Sequence, residues 1–172
     1  MLKGIALSVF IALAIPASAA TWREELPQAK ALGSGDLTWF RLRIYTAKLW
    51  SENPQFSLNS PFALELTYHR SISRTQFVET SIDEIKRIFG KQYSTEQLKR
   101  WEGEMYRAFT NVNEGDQLVG VFLPNQGCRF YNRNQLLADI RDPEFAKAFF
   151  AIWFDERTKD SGLRDQLLGR AK

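Results

Sequence analysis

Apolar and polar positions alternate from residue 37 to residue 45, with Phe40, Leu42 and Ile44 set against Trp39, Arg41, Arg43 and Tyr45. That period of two predicts a half-buried strand, and the Gly33-Ser34-Gly35-Asp36 run before it reads as a turn. Residues 51–61, with Asn53-Pro54 and Ser60-Pro61, read as a loop leading to a second strand. On that strand Phe62, Leu64, Leu66 and Tyr68 share one face, and His69 and Arg70 end it. The period then becomes helical. Ser73 with Gln76 has the spacing of a capping box, and Val78, Ile82, Ile85 and Phe89 follow as one stripe before Gly90. Ser94 with Gln97 repeats the signal ahead of Leu98, Trp101, Met105 and Phe109. Strand-like segments at residues 117–123, 127–131 and 135–140 are separated by turn residues suited to hairpins. Asp142 then caps a helix with Pro143 at its first position and Phe145, Phe149 and Ile152 as its apolar stripe. A short segment at residues 163–168 closes at Gly169.

Strands before and after a helical pair, joined by hairpin turns instead of crossovers, predict an α+β fold: a mostly antiparallel sheet with helices packed on one face. No internal repeat or low-complexity segment breaks the chain.

The first residues need separate accounting. A short basic start at Lys3, an apolar run over residues 5–15, Pro16 and the small residues Ala17-Ser18-Ala19-Ala20 form a secretory signal with its cleavage site. The apolar run is shorter than the ~20 residues a spanning helix needs. The expectation is a cleaved leader over residues 1–20, one domain over residues 21–172, and a periplasmic or secreted location without stable membrane insertion after cleavage. Of the 23 Lys and Arg set against 20 Asp and Glu, the leader removes Lys3 alone, so the remainder is nearly neutral. Lys and Arg are spread among acids without a basic run, which argues against nucleic acid as a partner. Cys128 is the single cysteine and cannot form an internal disulfide.

With one His and one Cys, a zinc site of those ligands cannot be built within the monomer. Gly33-Ser34-Gly35 lacks the spacing of a nucleophile elbow, and Thr38 stands where a dinucleotide turn would need its third glycine. In residues 111–122 the glycine of a calcium loop would be one place early, and Phe122 occupies the position of the bidentate Glu. Asp83-Glu84 and Asp155-Glu156 are adjacent pairs, whose side chains diverge on a helix. One polar feature remains: Arg41, Arg43 and Tyr45 on the first strand, and Tyr68, His69 and Arg70 at the end of the second. Arginine beside tyrosine hydroxyls can hold a carboxylate or phenolate, with aromatic walls covering an apolar tail. The alternative is a solvated sheet face with snorkelling arginines.

Gly33-Ser34-Gly35 followed by Phe40-Arg41-Leu42-Arg43-Ile44-Tyr45 and Ala47-Lys48-Leu49-Trp50 resembles the opening signature of bacterial chalcone isomerase-like proteins. The second half is similar to the same family in Gly115-Asp116, Pro124 with Gly127, Phe130 with Asn132, Asp142-Pro143-Glu144-Phe145 through Trp153, and Leu167-Leu168-Gly169. The resemblance implies an open-faced β-sandwich in which a sheet and a helical layer enclose a cleft for an apolar or aromatic ligand. Plant members close a chalcone to a flavanone, and related non-catalytic members bind fatty acids. Against the enzyme pattern, Leu37 falls at the Arg position and Phe40 at the Thr position, and the helix from Ser73 has no Tyr followed seven residues later by Asn. A phenolate intermediate needs a cation, which Leu37 cannot supply.

The reading is therefore a chalcone isomerase-like domain without catalytic residues, cofactor or metal, binding a small apolar or amphipathic acid such as a fatty acid. Arg41, Arg43, Tyr45, Tyr68 and Arg70 are its candidate ligand-binding residues, and the sequence names no protein partner. Two rivals remain: an isomerase or lyase using Arg41, Arg43 or His69, and a structural or partner-binding protein whose cleft is filled by its own aromatics. The binder requires an apolar cavity with a cationic end, the enzyme a polar cleft open to water, and the filled domain no cavity.

Overall fold

A computed structural model describes residues 21–133 and 135–170, so the expected leader over residues 1–20 lies outside the described residues. After a short 3-10 turn at Trp22–Glu24 come β1 (Lys30–Trp39), β2 (Leu42–Ser51), β3 (Phe62–Tyr68), α1 (Arg74–Phe89) and α2 (Thr95–Ala108). Then follow β4 (Gln117–Leu123), β5 (Gly127–Tyr131), β6 (Leu136–Ile140), α3 (Pro143–Phe154) and α4 (Ser161–Leu167). The six strands lie in chain order, each antiparallel to the next. The α+β arrangement expected from the periodicities is the one observed, and no helix of the described residues is long and apolar enough to cross a membrane.

The start of the sheet differs from the alternation reading. Residues 37–45 do not form one strand; they hold the end of β1, a two-residue turn at Phe40-Arg41, and the start of β2, with Trp39 paired to Leu42. Both turn residues have positive φ, 46° and 63°, the backbone of a primed hairpin turn. Such turns are usually marked by Asn-Gly or Asp-Gly, and Phe-Arg carries no such mark. Phe40 is consequently 80% exposed instead of buried. The Gly33-Ser34-Gly35 run is not a turn but the middle of β1. A Cβ on Gly33 would sit 2.1 Å from the Gln166 carbonyl oxygen, and one on Gly35 would collide with the Gln166 side chain, so the two glycines let α4 lie directly on the strand.

Alternation on β3 and β4 divides the core. Phe62, Leu64, Leu66 and Tyr68 with Leu118 and Phe122 face the helices, where they meet Val78, Ile85, Trp101, Met105 and the phenylalanines of α3. Phe62, Phe122 and Phe150 pack ring against ring, with centroids 4.9–5.7 Å apart. On the other face Ala63, Val119, Val121 and Tyr131 are covered by Trp22 and Leu26 from the segment before β1. Glu25 fastens that segment, accepting from Arg129 and from the Tyr131 hydroxyl. The helix starts follow the expected caps: Ser73 and Gln76 form the capping box of α1, and Asp142 Oδ1 accepts from the backbone of Glu144 and Phe145 at the start of α3.

Candidate functional site

A cavity of about 900 Å³ opens between the β1–β2 hairpin, the first half of α1, and the α3–α4 connection. Each wall has a local cause. The bulge at Ile44 of β2, opposite Leu37 and Thr38, and the tight turn before it bring Leu37, Thr38, Trp39 and Leu42 to one rim. The ends of β2 and β3 supply Tyr45 and Tyr68, which are paired in register. The isolated bridge between Ile72 and Val112 fixes the chain entering α1, whose capping box then directs Phe77, Ser81 and Glu84 along the wall. Ile152 and Trp153 of α3 and residues 158–160 complete it.

The two tyrosines meet edge to face, with ring centroids 5.9 Å apart. Tyr45 accepts from Trp153 Nε1 at 2.9 Å. Burial pushes its hydroxyl far above the ordinary tyrosine range, against the opposing effect of the Trp153 bond. Burial does the same to Tyr68, with Tyr45 adding to the shift. Tyr68 is 1% exposed and its hydroxyl has no hydrogen-bond partner among the described residues. A buried polar group without a partner is costly and uncommon in native proteins.

Charge on the wall is largely committed. Glu84 is buried, with Oε1 against Lys159 and Oε2 against Arg87, which donates from Nε at 2.9 Å. Burial raises its pKa, but the bonds from Lys159 and Arg87 outweigh that and hold it below the usual carboxylate range. Asp160 Oδ1 accepts from the Leu163 backbone and so starts α4. Among the described residues, Arg70 is the wall cation left without a carboxylate partner, and exposed Glu79 is likewise unpaired. The cavity thus has an apolar and aromatic body, an unsatisfied hydroxyl sealed behind its wall, and a free guanidinium at its edge.

Of the five residues expected at the site, Tyr45, Tyr68 and Arg70 line the cavity, whereas Arg41 sits in the hairpin turn and Arg43 lies against Asp36 at 3.5 Å. His69 lies outside the wall. Its Nε2 is 2.8 Å from Thr46 Oγ1, and Thr46 donates to Asp36 Oδ1 at 2.6 Å. Because the threonine proton goes to the carboxylate, His69 Nε2 is the donor in this chain. Sequence reasoning missed Trp153, Phe77, Glu84 and Lys159. Phe77 and Glu84 lay on a helix identified correctly, but which flank of its stripe would face a void depends on the placement of α3 and α4.

The chalcone isomerase-like family model matches residues 35–169. An uncharacterized protein of Haemophilus influenzae is 30% identical over 166 residues, covering 96% of this chain and 78% of that one. Among solved structures, a fatty-acid binding protein of Arabidopsis thaliana superposes with a TM-score of 0.63 at 10% identity, over 88% of this chain and 90% of the other. At that identity the likeness shows the fold.

Proposed function

This chain belongs to the chalcone isomerase-like family, and from that premise we propose that its cavity binds a small apolar or amphipathic acid, such as a fatty acid, without converting it. The observation that carries the reading is the cavity itself, whose volume of about 900 Å³ suits a small-molecule ligand and whose apolar and aromatic body has Arg70 at its edge. Arg70 at the edge would meet an acid's headgroup, while the tail lies along Leu37, Ile72, Phe77 and Ile152. A protein of the same fold is a fatty-acid binding protein, which supports the ligand class. Two further points support binding without conversion: apolar Leu37 is on the wall where the resemblance would place an arginine, and His69 is engaged by Thr46 outside the cavity. The leader at residues 1–20 would deliver the domain to the periplasm or the exterior.

The test is native mass spectrometry of protein purified without detergent, then denaturation and identification of what is released, alongside titration with saturated fatty acids of increasing length. A stoichiometric lipid or aromatic acid is expected. Arg70→Ala is expected to weaken binding, by ~1.5–3 kcal/mol for a hydrogen bond to a charged group. A clean unliganded mass that does not shift with any fatty acid would overturn the reading.

A further inference from the structure

The tip of the β1–β2 hairpin has a chemistry that extends beyond the cavity rim. Trp39 is 66% exposed, Phe40 80% and Leu42 43%; these are three of the five exposed large apolar side chains among the described residues, and they fall within four consecutive positions. The Trp39 and Phe40 rings contact each other with centroids 4.8 Å apart, forming one wedge. The backbone beneath is unfavourable for the residues it holds, because Phe40 and Arg41 both adopt positive φ, which bulky side chains rarely do. An Asn-Gly pair would relax the turn, whereas this turn presents an aromatic and a cation to solvent. Arg41 has no partner among the described residues, and Arg43 has only an exposed contact to Asp36 at 3.5 Å.

We propose that this tip docks the protein on an anionic phospholipid bilayer, with Trp39 and Phe40 entering the interface and Arg41 and Arg43 meeting the headgroups. Tryptophan at the water–hydrocarbon boundary and arginine at anionic headgroups are the residue types that such a surface favours. A protein partner is the poorer match, since a two-residue turn and its flanks offer much less than the ~800 Å² per side that a specific protein interface buries. The location adds a second argument. Trp39 and Leu42 also line the cavity, so a docked tip would bring the cavity rim to the lipid surface. The proposal stands on the hairpin and does not require that the cavity ligand be a fatty acid.

The experiment uses the chain lacking residues 1–20, floated with vesicles of phosphatidylcholine alone or mixed with phosphatidylglycerol, with tryptophan emission recorded in parallel. Expected are flotation with the anionic vesicles, a blue shift that Trp39→Phe removes, weakening by salt, and at least tenfold weaker association with phosphatidylcholine alone. The double variant Phe40→Asn/Arg41→Gly, which installs a relaxed primed turn and so preserves the hairpin, is expected to bind anionic vesicles at least tenfold more weakly with an unchanged circular dichroism spectrum. Equal vesicle binding by the double variant, or no binding of the parent to anionic vesicles, overturns the proposal. Concentration-dependent dimerisation abolished by the double variant, without vesicle binding, would instead assign the tip to a second copy of the chain. Fatty-acid titration in vesicle-free buffer reads the cavity separately, so failure of either reading is distinguishable from failure of the other.

Discussion

Glu84 joins three parts of the chain through one carboxylate: its own helix through Arg87, the α3–α4 connection through Lys159, and the cavity wall it lines. A buried carboxylate is tolerated only when both oxygens are satisfied, as they are here. Burial alone would raise its pKa; Lys159 and Arg87 pull it below the ordinary value. The clamp's contribution is complete above the ~4.3 of an unfolded glutamate and is lost as pH falls through the lower folded value. Glu84→Gln is expected to cost about 1.5–3 kcal/mol at neutral pH, with the gap to the parent closing at acid pH. Urea titrations at both ends of that range check it, and a gap independent of pH would show that the loss is one of packing. Tyr68 is the contrasting residue, a group whose burial the described protein leaves uncompensated. Its position facing the helices was legible from the alternation of β3, but the unpartnered hydroxyl was not, because satisfaction depends on neighbours far apart in sequence.

At the scale of elements, caps and periodicities were the dependable signals. Ser73, Ser94 and Asp142 stand at their helix starts as expected, because a cap is a local bargain between one side chain and the next few amides. Asp142 does more than its spacing implies: Oδ2 accepts from Trp101 Nε1 at 2.9 Å, so the cap of α3 also satisfies a fully buried indole on α2. Asp142→Ala is expected to cost about 2–4 kcal/mol, combining a lost cap with a stranded donor, and Asp142→Asn distinctly less. Denaturant unfolding of the two variants measures this, and an equal cost for both would mean that charge, not hydrogen bonding, matters there. The β1–β2 hairpin shows the opposite case. Its alternation is real, but Trp39-Phe40-Arg41-Leu42 turns without a turn residue, and the glycines that look like a turn serve the close approach of α4.

For the whole molecule, a ligand that binds only the folded state must stabilise all of it. At a free concentration 100-fold above its Kd, the bound acid is expected to raise the unfolding free energy by ~2.7 kcal/mol, whatever the ligand's detailed contacts. Calorimetry over a ligand series checks this, and the Arg70→Ala protein would show a smaller rise at the same ligand concentration. The aromatic content that made a self-filled cleft plausible is concentrated around Phe62, Phe122, Phe130 and Phe149, on the part of the helix face nearest α3. The cavity lies to one side, bounded by the β1–β2 hairpin, α1 and the α3–α4 connection. The segment at Trp22–Leu26 covers the opposite face of β3 and β4, so the sheet has a second small core in addition to the helix-facing one.

Sequence by itself determined the α+β class, the order of the elements from β3 onward, the helix-facing side of β3 and the starts of three helices, since each follows from periodicity and capping within a few residues. It also brought Tyr45, Tyr68 and Arg70 forward as candidates, because they sit at the ends of neighbouring strands. The tertiary structure alone decided that Arg41 and Arg43 leave the wall for the hairpin, that Trp153 reaches Tyr45 and Lys159 reaches Glu84, and that a void remains between them. The physical reason is that a cavity is defined by what several distant segments fail to fill, and no local pattern along the chain records the distance between them.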